Sequence, residues 1–429
     1  MKRWISLLLG ACLLAGCAGS GAPAAATAET AAAPTAAPQA LTLACGNLGL
    51  TDTAGGRAVQ NYTEANGVQL NYTYDYAAAD LVVQPNAPTD GAEFRDLTAD
   101  PLLKAAAARA GLDTTQPCYA LPVGRSLYAY WANGDTLAAL LGENAVADLQ
   151  NCSWDEWQDF VETTTAWLAA PAATEVVLSG NAHTLPAEKP AAVANLPGVL
   201  YAFDRHYSMR TVYTPALLAA ADTRTAEALT GPLNGVYAAL TLEQENLGFA
   251  NTETEDAFTA GVAAALQNGT TLFARMRLAD LVTNLGAENC QSMVPIPVKC
   301  ALDATDLTTT EYDLNGLLNH PVLAGSGYYA IPLTASEEGA KAAAAALLWL
   351  YTSADAEAMM TEDLALITPW GTASDSTALG AMQVNWVSTG ILPEMALTDA
   401  ECAALMELDV QGERKEFVQG VLAALGAAK

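Results

Sequence analysis

Short apolar runs alternate with a helix-forming stretch near the start of the chain, and that rhythm restricts the fold more than any other feature. Leu41–Cys45 reads as a strand, followed by a glycine-containing turn and a helix to about Glu64. Gln69–Tyr74 alternates apolar and polar residues, the period of a half-buried strand. Asp80–Gln84 carries Leu81, Val82 and Val83 and stops at Pro85, as a short buried strand does. Strand, helix and strand in this order predict an α/β fold built on a parallel sheet.

Four later segments carry the capping-box pattern of a helix start: Ser153 to Glu156, Thr252 to Glu255, Thr334 to Glu337 and Thr398 to Glu401. Behind the first, Trp154, Trp157, Phe160, Val161, Thr164, Trp167 and Leu168 recur at helical spacing and are expected to face a core. Glu337–Met360 predicts one long alanine-rich helix whose small side chains allow close packing on a sheet. No internal repeat is present.

The N-terminus reads as a leader. Lys2 and Arg3 precede an apolar run, Ile5–Leu14, that is too short to span a bilayer. Leu14-Ala15-Gly16-Cys17 resembles the lipobox of bacterial lipoproteins, so residues 1–16 are expected to leave and Cys17 to take a lipid. The competing reading is an ordinary secretory signal with a chance cysteine. Lipid on Cys17 anchors a protein to the outer face of the cytoplasmic membrane without spanning it. Residues 17–40 are dominated by Ala, Gly, Pro, Ser and Thr and are expected to be a disordered tether.

Residues 41–429 suffice for two lobes with their own cores. The chain carries 47 Asp and Glu against 18 Lys and Arg, a net charge of −29, or −31 once Lys2 and Arg3 are removed. That balance argues against nucleic acid and anionic lipid surfaces as partners. Beyond Cys12 and Cys17, six cysteines remain: Cys45, Cys118, Cys152, Cys290, Cys300 and Cys402. They include no C-x-x-C pair, so no structural metal or redox motif is indicated. An even number outside the cytoplasm permits disulfides, Cys290 with Cys300 first among them; buried free thiols are the equal alternative.

Four segments together resemble one family. They are Tyr119–Pro122 followed by Ser126–Asp135; Ser153–Trp157; Gly269–Asp280; and Gly325–Pro332 with Glu338–Met360 behind it. Their order and spacing are similar to the extracellular solute-binding proteins of ABC importers, in the family 1, carbohydrate-type group. Leu397–Glu401 through Phe417–Gly420 looks like the C-terminal helices of a lipoprotein subgroup. One stretch departs: Arg275-Met276-Arg277 stands where that family often has a Gly-Gly-Ser-Trp turn.

The resemblance implies a two-lobed periplasmic-binding-protein-like fold of type II, with ligand in a cleft between lobes joined by crossing segments. By analogy the first lobe is 41–122 plus 325–365 and the second is 123–324 plus 366–429. It also implies a monomer that captures a sugar or oligosaccharide and hands it to permease subunits, without a cofactor and without catalysis. Asn47, Gln84 and Asn86 lie at strand ends, where amides suit sugar hydroxyls or merely serve turns. Arg125, Arg275 and Arg277 fall in suspected cleft segments, and alternation points the last two to one face. Guanidinium forks grip carboxylates, so an acidic sugar is one expectation and pairing with the chain's own carboxylates the other. Trp370, in a Pro/Gly loop, and one of Tyr328 and Tyr329, behind the Gly325–Gly327 turn, are candidate stacking platforms for sugar faces. Alternation also places Tyr128 and Tyr130 on one face of a strand and Trp131 on the other.

Other chemistry finds little support. Gly325-x-Gly327-x-x-Ala330 is followed by Ile331-Pro332, not a helix start, so it is no dinucleotide site. There is no P-loop, no H-E-x-x-H and no G-x-S-x-G. His183, His206 and His320 are scattered. Carboxylates are abundant enough that a lipid-anchored surface glycan hydrolase stays open as an alternative, as does a polymer-binding adhesin.

Overall fold

The computed structural model describes residues 40–427 apart from 46–52, 85–86, 89–90, 195, 202–220, 222, 247–257, 309–313, 315–318, 320, 390–391, 394–396 and 409–411. In chain order the strands are β1 (Ala40–Ala44), β2 (Gln69–Tyr72), β3 (Leu81–Gln84), β4 (Leu121–Pro122), β5 (Arg125–Asn133), β6 (Thr174–Leu178), β7 (Asn181–Leu185), β8 (Leu200–Tyr201), β9 (Phe273–Arg277), β10 (Met293–Ile296), β11 (Val322–Gly325), β12 (Tyr328–Ala330) and β13 (Leu392–Pro393). The helices are α1 (Ala54–Asn66), α2 (Pro101–Arg109), α3 (Gly134–Leu141), α4 (Ala145–Asn151), α5 (Trp154–Ala169), α6 (Ala226–Glu245), α7 (Phe258–Gln267), α8 (Leu278–Leu285), α9 (Glu337–Thr352), α10 (Ala354–Ala358), α11 (Ala378–Thr389), α12 (Asp399–Met406) and α13 (Arg414–Ala424). Among the described residues no helix is long and apolar enough to cross a membrane.

The first sheet runs β2-β1-β3-β12-β4. β1 is parallel to β2 and β3, as the opening rhythm predicts, and β12 is antiparallel to β3 and β4. Alternation sends Leu41, Leu43, Leu81, Val83 and Tyr329 to one face, where α1, α2 and α9 supply Val59, Leu103, Leu347 and Leu350. Ala44, Val82 and Ala330 face the other way, onto Phe94. Small residues there leave room for only a thin layer.

The second sheet runs β13-β11-β5-β9-β8, with β10 also pairing β5. β5 is its axis, antiparallel to β9, β10 and β11. Tyr128 and Tyr130 face a core with Trp157, Phe160 and Phe417. Leu127, Ala129 and Trp131 face the opposite core, with Met276 and Leu281. The expected division of Tyr128 and Tyr130 from Trp131 is therefore present, and all three are buried.

Local signals act as expected in places and are corrected in others. Ser153 and Thr398 both form full capping boxes. The Thr252 start lies outside the described residues. The third start moves by two residues: Ser336, not Thr334, accepts from Gly339 N and opens α9. The long helix expected over Glu337–Met360 breaks at Ser353, whose backbone is extended and whose hydroxyl caps α10 instead. A π-helical turn, Met359–Asp363, follows.

The cysteines at 45, 118, 152, 290 and 300 are free thiols. Cys290 lies in the Trp131 core and Cys300 in the Tyr130 core, on opposite faces of the sheet, which is why their proximity in sequence makes no bond. His183 is structural: its ring nitrogens meet Leu141 O at 3.0 Å and Asp148 Oδ2 at 2.8 Å.

Candidate ligand cleft

Among the described residues the chain passes between the two sheets three times, at 122–125, 325–328 and 364–367, and the first passage is bonded to each of the other two. Val123 N donates to Gly327 O at 2.8 Å, and Ser326 N to Gly124 O at 2.9 Å. Arg125 and Ile367 exchange backbone hydrogen bonds of 2.9 and 2.7 Å. Gln383, 1% exposed, ties the third passage to β5 by its amide: Oε1 accepts from Leu127 N at 3.2 Å, and Nε2 donates to Ala365 O at 3.1 Å.

Two glycines make these passages possible. Gly124 has φ 144° and Gly327 φ 97°, a region that L side chains avoid. A Cβ at Gly124 would stand 2.8 Å from Ile367 O, and one at Gly327 2.8 Å from Gln84 O. The third passage alternates between the cores. Leu364 and Leu366 pack in the first-sheet core, while Ala365 and Ile367 pack in the second.

The ends of β3 and β4 meet the start of β12 at Gln84, Pro122 and Tyr328. α1 begins here too: a Cβ at Gly55 would lie 2.9 Å from Val83 and 3.0 Å from Val123. From the other side, α8 leans in. Ala279 joins the first-sheet core, its N–H donates to Ser126 Oγ at 3.3 Å, and Arg57 Nη2 reaches Thr283 O at 3.4 Å.

The sequence candidates fare differently. Cys17, Asn47 and Asn86 lie outside the described residues. Gln84 ends β3, half-buried, opposite Tyr328. Tyr328 is half-buried beside Tyr76 and Tyr119 over the thin core of the first sheet. Burial holds the Tyr76 hydroxyl above its usual pKa, with Cys45 adding to the shift. Arg125 is exposed at the first passage.

Arg275 and Arg277 do share one face of β9, opposite Tyr130 and Tyr128. Of the two uses expected, the pairing with the chain's own carboxylates is the one seen. Arg275 is 3% exposed and pairs through Nη1 with Glu243 Oε1 at 3.0 Å. The Tyr130 hydroxyl donates to that same carboxylate oxygen. Burial first, and the Glu243 charge second, hold Tyr130 protonated far above its ordinary range. Arg277 donates from Nε to Asp280 Oδ2 at 2.6 Å and from Nη1 to Gly325 O at 2.7 Å, clasping the second passage. Both arginines therefore serve the chain's own groups: the abundant carboxylates claimed them.

Trp370 is likewise engaged. Its Nε1 donates to Glu357 Oε2 at 3.0 Å, and the Arg109 guanidinium covers its ring. Sequence reasoning missed Arg109, Glu357, Gln383 and Ser326. Only Ser326 had a local signal, its position between two glycines.

Solved structures share this architecture. A maltose/maltodextrin-binding domain from Bdellovibrio bacteriovorus bound to maltotriose matches with a TM-score of 0.53 at 14% identity, over 91% of this chain and 97% of that one. A sugar transporter protein from Bacillus licheniformis in complex with stachyose matches with a TM-score of 0.51 at 12% identity, over 90% and 98%. A structure from work on xylan utilization by Caldanaerobius polysaccharolyticus gives 0.54 at 10% identity, over 90% and 99%. The chain has the two-lobed, periplasmic-binding-protein-like α/β fold. No protein-family model and no curated relative matches its sequence.

Proposed function

We propose that this protein is the extracytoplasmic binding component of an importer, which captures a sugar or oligosaccharide between its lobes and delivers it to a membrane permease. One observation carries the reading: two α/β lobes are joined by three passages, the first bonded to each of the other two, in a fold shared with structures solved with maltotriose and stachyose. In α/β sheets, ligands bind beyond the carboxyl ends of the strands, and here those of β3 and β4 lie beside the passages. The lobes are 41–122 with 325–365 and 123–324 with 366–429. Closure about the passages buries the solute, and a permease that prefers the closed form then senses the loaded protein. Capture of this kind needs no covalent chemistry and no cofactor. The lipobox-like Leu14–Cys17 supports an anchor on the outer face of the cytoplasmic membrane.

A thermal-shift screen of the mature chain against neutral mono- and oligosaccharides, acidic saccharides and peptides tests this. A ligand at 100 times its Kd stabilises the folded state by about 2.7 kcal/mol. Stabilisation by a saccharide that is recovered unaltered supports capture. Hydrolysis of the saccharide, or stabilisation by peptides alone, sinks the reading. Metabolic labelling with palmitate, lost in Cys17→Ser, tests the anchor.

A further inference from the structure

We infer that Tyr74, braced by Tyr72, is an outer stacking subsite on the rim of the first lobe, which holds one ring of a neutral oligosaccharide whose other end lies in the cleft. The inference rests on the saccharide reading and narrows it from any sugar to an oligosaccharide.

Among the described residues Tyr74 is the only aromatic side chain left exposed, at 60%. Apolar side chains exposed singly are ordinary, but Tyr74 does not stand alone. Its ring meets that of Tyr72 edge-on, with centroids 5.2 Å apart and planes at 77°. Tyr72 in turn packs against the first-sheet core. The backbone on either side of Tyr74 is also held. Thr73 N donates to Leu43 O at 3.0 Å, Asp75 N donates to Thr73 Oγ1 at 3.1 Å, and Asp75 Oδ1 accepts from Ala77 N at 2.9 Å. A ring fixed in this way loses little freedom when something stacks on it.

The register supplies the second observation. Tyr72, Leu43 and Leu81 stand in one row across the parallel strands β2, β1 and β3. Tyr74 comes two residues beyond that row and Gln84 three, so both lie at the carboxyl ends of these strands, the side on which α/β sheets bind ligands. Strands lie about 4.8 Å apart, so β2 and β3, separated by β1, set Tyr74 about 10 Å across the sheet from Gln84. Tyr328, opposite Gln84 on β12, is one strand farther. One sugar ring seated beside Gln84 and Tyr328 does not bridge that distance, whereas a chain of rings does.

The chemistry of the rim selects a neutral unit. A tyrosine ring presents an apolar face to the C–H side of a pyranose while its hydroxyl stays available for hydrogen bonds. Asp75, exposed in the next position, carries a carboxylate that accepts from sugar hydroxyls and repels anions. With 47 carboxylates against 18 cationic side chains in the whole sequence, the wider field repels anions as well.

Calorimetry on the mature chain, with malto-, cello- and xylo-oligosaccharides from the monosaccharide to the pentasaccharide, tests the subsite. In the series that binds, affinity should rise with length and level off once the rim is reached. Tyr74→Ala should weaken the tetra- and pentasaccharides about three- to tenfold and leave the mono- and disaccharides within about twofold. Tyr74→Phe, which keeps the ring, should retain most of the gain with length. Circular-dichroism melts confirm folding of each variant. Should Tyr74→Ala fail to fold, the wild-type length series and Tyr74→Ser carry the test. Equal affinity at every length overturns the subsite and leaves the saccharide reading standing, as does a gain with length that Tyr74→Ala leaves intact. Equal weakening of short and long ligands overturns it too, because an outer subsite touches only the long ones. No binding in any series sinks the saccharide reading and the subsite with it.

Discussion

The guanidinium carbon of Arg109 lies 3.9 Å from the centroid of the Trp370 ring, and both side chains reach the carboxylate of Glu357. Arg109 Nη2 stands 2.7 Å from Glu357 Oε2 and Trp370 Nε1 stands 3.0 Å from it. Tyr351 packs its ring 5.6 Å from that of Trp370 and accepts from Arg109 through its backbone oxygen. Trp370 comes three residues after the third passage and packs with the first-sheet core, whereas Ala373 packs with the second. The loop is thereby pinned against the first-sheet core at Trp370 and against the second-sheet core at Ala373. Beside it opens a cavity of about 450 Å³, bordered by Arg109, Glu357, Glu362 and Ser374.

Trp370 is therefore expected to matter for stability before it matters for ligand. Arg109 and Glu357 are partly exposed, 38% and 31% by side chain, so their pair is screened and worth about 1 kcal/mol at most. The cation–ring contact adds roughly 0.5–1 kcal/mol. Arg109→Ala should lower the unfolding free energy in urea by about 1 kcal/mol, and Trp370→Ala by about 2 to 3 kcal/mol. Trp370→Phe should keep saccharide affinity within threefold. A large loss of affinity with stability intact would restore a stacking role to the ring.

The second passage depends on Gly327. Alanine there meets Gln84 O at 2.8 Å in a left-handed conformation with φ 97°. Left-handed backbone costs an L-residue roughly 1–2 kcal/mol, and the steric contact adds to it. Gly327→Ala should lose at least that much in thermal or urea unfolding. It should also change the scattering-derived radius of gyration on ligand addition, because the passage is where closure bends. Gly111→Ala, with φ 77° and nothing near its Cβ position, isolates the backbone cost alone.

The thiols offer a chemical check. Cys118 is half-exposed, while Cys45, Cys152, Cys290 and Cys300 are buried. A thiol reagent added to the native protein should modify Cys118 first and leave these four until the protein unfolds. Alkylation under denaturing conditions without a reductant should label Cys290 and Cys300 fully. Failure to label that pair would reinstate the disulfide that the sheet is expected to forbid.

Legibility followed the range of each signal. The β1–α1–β2–β3 rhythm and the Ser153 cap were readable because their physics is local: period, cap and turn. The two faces of β5 were readable for the same reason. The destinations of Arg275 and Trp370 were not, since Glu243, Arg109 and Glu357 come from distant segments that only the packed fold brings near. Cys290 and Cys300 illustrate the same limit, because sequence proximity says nothing of which face of a sheet a residue joins. Ser353 shows a local competition: its hydroxyl caps a new helix where an alanine in its place would have continued the old one.

Lys299 and Cys300 are adjacent and are expected to tilt stability with pH in opposite senses. Lys299 is 1% exposed; its ammonium donates to Gln150 O at 3.0 Å and to Asn319, and burial lowers its pKa from 10.5 to about 8. Between pH 8 and 10.5 the unfolded chain then binds the extra proton, so this residue makes stability rise with pH. Burial, helped by Glu243, raises the Cys300 thiol from 9.0 to about 12. Its contribution is full below pH 9 and is lost as pH climbs from 9 towards 12. One proton corresponds to about 1.4 kcal/mol per pH unit. Relative to Lys299→Met, the wild-type chain should gain roughly 1 kcal/mol between pH 8 and 9 in urea unfolding. Relative to Cys300→Ala, it should lose a similar amount between pH 9 and 10. Each difference cancels the background titration of the other groups, and a flat difference in either series would show that the buried group does not titrate as its surroundings require.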